Sequence, residues 1–184
     1  MRNSSQRLKR DIDLMATNEF QNGCRLLNPS HFTRNRKMPL HKLILTTVFR
    51  KGRSLKIELK AFASKLGDPE ISKVGYLKQR MKLNPQSFLE VARFHAKQFY
   101  KDQTKVRTYK EYLILACDGS DLNVPSTPEN KQKFHESSKH GHYPRPQAGI
   151  SCLFDVLNRQ ICDCAVSCNK TSERTEALSH IKKR

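Results

Sequence analysis

The chain has 184 residues, room for one ordinary domain or a small domain and part of another. Its 36% apolar share allows a core, but 35 Lys and Arg stand against 17 Asp and Glu, a formal +18, and such an excess calls for a polyanionic partner, nucleic acid first. No apolar run approaches the ~20 residues of a spanning helix, and the polar start Met1–Arg10 lacks the apolar stretch of a secretory signal, so a cytoplasmic protein with no membrane partner is expected.

Residues 1–30 mix Ser, Asn, Gln and charges with scattered Ile12, Leu14, Met15, Phe20, Leu26 and Leu27, and predict a weakly specified arm with one short helix. A basic segment, His31 to Pro39, leads into the first clear helix. There Pro39 suits a first helical position, Leu40, Leu43, Ile44 and Val48 share a face, and Gly52 ends the element. Ser54 can cap the next helix, whose apolar face is Leu55, Leu59, Phe62, Ala63 and Leu66 and which Gly67-Asp68-Pro69 closes. Ser72 opens a short element to Lys82, and Asn84 with Pro85 begins a longer helix with Phe88, Ala92, His95 or Ala96, and Phe99 facing inward. An all-helical domain over residues 31–105 follows. Arg34 to Arg107 holds nineteen basic and five acidic residues. Helix, turn and short basic helix is the outline of a helix-turn-helix with Ser72 to Lys82 as the reading helix. Lys73, Lys78, Arg80 and Lys82 would reach phosphates or base edges, and Tyr76 and Gln79 would add polar contacts. A solvated basic face on an ordinary bundle is the alternative.

After Lys105 the apolar period changes from 3.6 to 2. Tyr109 to Cys117 reads as a strand buried on both faces, ending on Asp118, with a glycine turn bringing in Asp121. A carboxylate at the lip of a rigid strand suits a hard cation such as Mg²⁺, although Asp-Gly after a strand is also a plain turn signal. The connection Asp121 to Pro146 carries Lys131, Lys133, His135, Lys139, His140, His142 and Arg145, and reads as a phosphate-facing basic loop or a solvated one. Gln147–Asp155 and Gln160–Val166 predict two further strands joined by the turn Val156–Arg159. Thr171 or Ser172 caps a last helix with Glu173 and Glu176 near its positive end and Ala177, Leu178 and Ile181 as its apolar face. Cys162, Cys164 and Cys168, with Cys152 and His180, lack the knuckle spacing of a structural zinc site. Cys162 and Cys164 are expected on one face of their strand as packed thiols, and all six cysteines as free thiols. One helix cannot cover both faces of an apolar sheet, so the second half reads as an incomplete α/β unit.

Five segments carry a family resemblance in order: Phe32-Thr33-Arg34-Asn35-Arg36-Lys37-Met38-Pro39, Ile71-Ser72-Lys73-Val74-Gly75-Tyr76 with Arg80, Lys82-Leu83-Asn84-Pro85, Asp118-Gly119-Ser120-Asp121-Leu122-Asn123-Val124-Pro125, and Leu153-Phe154-Asp155-Val156-Leu157-Asn158-Arg159. Together, from about residue 31 onward, the chain resembles the N-terminal part of a bacterial DDE transposase of the insertion-sequence-four type. The resemblance implies an α+β chain: an arm over 1–30, a helical, helix-turn-helix-like DNA-binding domain over 31–105, and over 106–184 an incomplete ribonuclease-H-like α/β domain holding its first three strands and first helix. It implies Asp118 as the first catalytic and metal-binding aspartate, with Asp121 in possible support, and Mg²⁺ as the cofactor of the complete enzyme, where three acidic residues hold two ions for in-line attack on a phosphodiester. Arg34, Arg36, Lys37, Lys73, Lys78, Arg80 and Lys82 are its expected DNA-binding residues. Double-stranded DNA, the transposon ends, is the expected partner, with a homodimer or pairing with an intact transposase, in a bacterial cytoplasm at the nucleoid. The family's second Asp and its Glu have no counterpart at the expected places, so an N-terminal fragment inactive alone is expected. The rival reading is a non-catalytic, basic DNA-binding protein or regulator derived from a transposase.

Overall fold

In the computed structural model the chain is an α+β protein of eight helices and four strands among the described residues, which are 2–26, 28–34, 37–101, 105–137, 144–168 and 172–182. It divides into two compact units, Met1–His95 and Ala96–Arg184.

The first unit opens with α1 (Arg2–Ala16) and α2 (Asn18–Gly23). Thr17 turns the chain between them: its hydroxyl donates to the Leu14 carbonyl at 2.8 Å and accepts the Phe20 N–H at 3.3 Å. The stretch expected as a loose arm with one short helix thus forms two helices. Its Met15, Phe20 and Cys24 enter the same core as Leu40, Leu43, Ile44 and Leu59. Burial against later helices supplies the stability that the local sequence lacks.

The remaining helices follow the expected order: α3 (Leu40–Val48), α4 (Leu55–Leu66), α5 (Lys73–Arg80) and α6 (Gln86–Tyr100), the last running on into the second unit. Pro39 stands at the cap of α3, one residue earlier than expected. Gly67 closes α4 in the left-handed region at φ 65°, where a side chain would be strained. Ser72 caps α5 by accepting the Gly75 N–H at 3.1 Å, and Asn84 receives the Gln86 N–H at 3.1 Å at the start of α6. Glu58, in the first turn of α4, accepts the N–H groups of Lys51 and Arg53 in the connection from α3, at 2.8 and 3.0 Å. Those bonds, Arg53 first, hold its carboxyl below the usual range.

The second unit is built on an antiparallel sheet of β1 (Leu115–Asn123), β2 (His135–Ser137), β3 (Arg145–Asp155) and β4 (Gln160–Ser167), with a short helix α7 (Pro128–Lys133) and a last helix α8 (Glu173–Lys182). The eleven-residue β3 is central. It pairs with β1 from Leu115↔Asp155 to Asn123↔Gln147 along one edge, and with β2 and then β4 along the other. Helix α8 packs on β1 and β3, its first turn capped by Ser172, whose hydroxyl accepts the Thr175 N–H at 3.3 Å. Thr171, the alternative cap, lies outside the described residues.

Three sequence expectations change here. Residues 109–114 do not belong to the strand: Lys110 and Glu111 both have positive φ, 47° and 69°, and bend the chain so that Tyr109 bridges Tyr112. The strand does not end at Asp118; it continues through Gly119 and Asp121, because β3 offers a pairing partner to every residue as far as Asn123. Nor is β1 buried on both faces: alternate residues are exposed up to Ser120, and the rest of the strand is exposed. Among the described residues no helix is long and apolar enough to cross a membrane.

Candidate nucleic-acid interface and carboxylate site

Helix α5 presents Lys73, Lys78 and Arg80 to solvent. Their neighbour Tyr76, expected to touch DNA, is 0% exposed and anchors the helix: its hydroxyl lies 2.7 Å from the Thr47 hydroxyl on α3. A residue predicted as a reader is therefore the helix's foot in the core. Gly75 makes room for this seating, since a Cβ there would come within 3.2 Å of both Ile71 and the Ser72 hydroxyl.

Lys82 lies beyond the end of α5, and its carbonyl accepts the Leu26 N–H at 3.1 Å while Asn84 N–H donates to the Cys24 carbonyl at 2.8 Å. These bonds tie residues 24–26 to 82–84 and bring the loop that follows over the end of α5. Between them is a cavity of about 330 Å³ lined by His31, Phe32, Arg34, Gln79 and Lys82, among others. The structure thus brings Arg34 and Lys82 to one cavity, with Gln79. Lys37, Lys73, Lys78 and Arg80 are exposed. Arg36 lies outside the described residues, as do Lys139, His140 and His142 of the long connection; Lys131 and Lys133 stand in the last turn of α7.

Asp118 sits in the middle of β1, exposed, opposite Cys152 of β3, with one carboxylate oxygen 2.9 Å from the Gly119 N–H. Side chains alternate along a strand, so Asp118 faces away from α8 while Gly119, and with it Asp121, belongs to the α8 side; an added Cβ on Gly119 would lie 3.6 Å from Glu173 Cγ. Asp118 and Asp121 are thus on opposite faces and cannot share one ion. Among the described residues no group of three His, Cys, Asp or Glu is placed to hold a metal ion. The donor set does not fit the two Mg²⁺ ions that the resemblance implies.

The row Asp118, Cys152, Cys164 crosses this open face by register. The Cys152 and Cys164 sulfurs are 3.5 Å apart, and burial, reinforced by Cys152, pushes the Cys164 thiol up to about 11. Cys162 and Cys164 do not share a face, contrary to expectation: the register shifts between Leu153 and Phe154, and Cys162 at the bulge meets the Tyr100 hydroxyl at 3.3 Å instead. All six cysteines are free.

On the covered face is a chain that the sequence reading missed. His180 of α8 lies between Ser151 of β3 and Asp163 of β4, its Nε2 3.0 Å from the Ser151 hydroxyl and its Nδ1 2.8 Å from the Asp163 carboxylate. This is the order of groups in a serine hydrolase, yet His180 is 1% and Ser151 4% exposed, beneath the helix. With no access for a substrate, the chain acts as a latch that fastens α8 to two strands. Nothing in the spacing of residues 151, 163 and 180 announces it, because the three meet only through pairing and helix docking.

A second buried carboxylate explains part of the Leu153–Arg159 motif. Asp155, 0% exposed, accepts the Tyr100 hydroxyl at 2.7 Å, the Asn158 N–H at 3.1 Å and the Asn158 side-chain amide at 2.8 Å. Asn158 in turn bonds the Arg107 backbone N–H and carbonyl at 2.7 and 2.9 Å. Burial alone would raise the Asp155 carboxyl, but hydrogen bonds from Tyr100 and Asn158 outweigh it and hold it below the ordinary value. The partner effect, with burial the largest cause, raises the Tyr100 phenol. These residues organise the β3–β4 turn and make no site of their own.

No protein-family model, no curated protein and no solved structure matches this chain.

Proposed function

We propose that this chain is a DNA-binding protein of transposase type. Its basic helical unit holds double-stranded DNA, the ends of its own element by the resemblance, and Asp118 is the first aspartate of a ribonuclease-H-like strand-transfer site. The observation that carries the DNA reading is α5: a helix seated by the buried Tyr76 and turning Lys73, Lys78 and Arg80 outward, in a chain of net charge +18. The catalytic reading is supported by an antiparallel run of three long strands followed by a helix on one face, with Asp118 on the other face of the first long strand. The lone position of Asp118 favours a second reading, in which the described residues bind DNA and perform no chemistry.

The test is affinity for a mixed-sequence duplex against salt. Six or more phosphate contacts give a log–log slope steeper than about −5; a flat response would remove the DNA claim. A labelled duplex incubated with the chain and Mg²⁺ separates the two readings. No nicking is expected from one carboxylate, whereas nicking that disappears in Asp118→Asn with duplex affinity retained would favour the catalytic one.

A further inference from the structure

The cavity over the end of α5 is not explained by duplex binding through exposed cations, and its lining has a definite chemistry. Arg34 and the partly buried Lys82 supply two positive charges, and among the described residues no acidic residue lines it, a lining that suits an anion. Phe32, Met38 and Pro39 give it an apolar wall, which suits a flat ring and is wasted on a bare phosphate. Gln79 offers an amide that both donates and accepts, the kind of group that reads a base edge. His31 also lines the cavity, and its Nδ1 is buried with no hydrogen-bond partner among the described residues.

The rim is fixed before any ligand arrives. Ser30 donates to the Asn28 side-chain oxygen from both its N–H and its hydroxyl, at 2.8 and 2.7 Å, and the Thr33 hydroxyl donates to the Ser30 carbonyl at 2.8 Å. Phe32 is held at φ 61°, which a bulky residue adopts only under constraint from its surroundings, and its ring stands edge-on to His31 at 6.4 Å between centroids. At about 330 Å³ the cavity is at the small end of ligand pockets.

We infer that this cavity takes one nucleotide unit, its base against Phe32, Met38 and Pro39 and its phosphate toward Arg34 and Lys82. Resting on the DNA reading above, the natural source is an unpaired nucleotide of a bound strand, since extrusion costs least where a base has no partner; a free nucleotide carries the same chemistry.

The experiment measures the full chain on three probes: a fully paired duplex, the same duplex with one unpaired 2-aminopurine nucleotide, and free deoxyadenosine monophosphate. The unpaired duplex is expected to bind about tenfold tighter than the paired one, a typical return from one stacked base, with a change in 2-aminopurine fluorescence. Thr33→Trp, which fills the cavity from its exposed rim, should bring the preference below about twofold and leave paired-duplex affinity unchanged. Gln79→Leu, which removes the amide offered to the base edge, should weaken the preference while folding normally, and covers the case in which the tryptophan variant does not fold. Saturable binding of the free nucleotide, lost in either variant, with no preference for the unpaired duplex would assign the cavity to free nucleotides. Paired-duplex binding with neither a preference nor nucleotide binding overturns the cavity proposal and leaves the DNA reading standing. Nucleotide binding with no duplex binding does the reverse.

Discussion

Asp155 and His180 show how much of the second unit hangs on single buried polar side chains. Asp155 has three donors on two oxygens, and Asp155→Asn turns a charge-assisted set into neutral bonds, at a cost of about 2 kcal/mol near pH 7 in urea denaturation. Because its folded pKa is depressed, its contribution is complete above the unfolded value of about 4 and is lost as pH falls through the folded value. The gap between wild type and variant should therefore narrow at pH 3, and a gap that widens would reverse the assigned direction. His180→Ala removes the shared partner of Ser151 and Asp163 beneath α8 and is expected to cost about 3 kcal/mol. Against the hydrolase-like reading of the same three residues, a fluorophosphonate probe should leave folded protein unlabelled. A modified peptide containing Ser151 would show that the serine is reachable and reactive.

At the scale of elements, the helices of residues 40–100 were legible because each carries its own punctuation: Ser72 and Asn84 at the starts, Gly67 at a stop, and an apolar face at helical spacing between them. Ser72→Ala should lower stability by about 1 kcal/mol, the usual value of an N-cap. The strand bearing Asp118 was misread at both ends for one reason: local signals compete poorly with pairing. Glu111, in the left-handed region, is an unusual turn residue that no sequence signal marks, and Asp-Gly looks like a turn until β3 supplies a partner for each position. Gly119→Ala tests this directly. In a strand, with the new Cβ 3.6 Å from Glu173 Cγ and 3.7 Å from the Ile150 carbonyl, alanine should be neutral or add about 0.5 kcal/mol. A loss above about 1 kcal/mol would return Gly119 to a turn conformation.

Over the whole molecule, charge is the property most legible from sequence and least dependent on the fold, whereas the grouping of residues is the reverse. The excess of 35 cations over 17 anions could be read at once. That Arg34 and Lys82 meet at one cavity follows only from the bonds between residues 24–26 and 82–84, and that Asp118 and Asp121 part company follows only from an unbroken strand. The cations of α5 are therefore where charge and fold can be tested together. If Lys73, Lys78 and Arg80 each neutralise a phosphate, replacing all three with alanine removes about 0.9 from the salt slope for each, so that its magnitude falls by roughly 2 to 3. Fold is retained because all three side chains are exposed and Tyr76 and the Ser72 cap remain. If instead α5 is only a solvated basic face, the slope stays the same while affinity drops slightly through the lower net charge. A substituted protein with native helix content and an unchanged slope would move the DNA-binding surface away from α5 to the other basic segments of the chain.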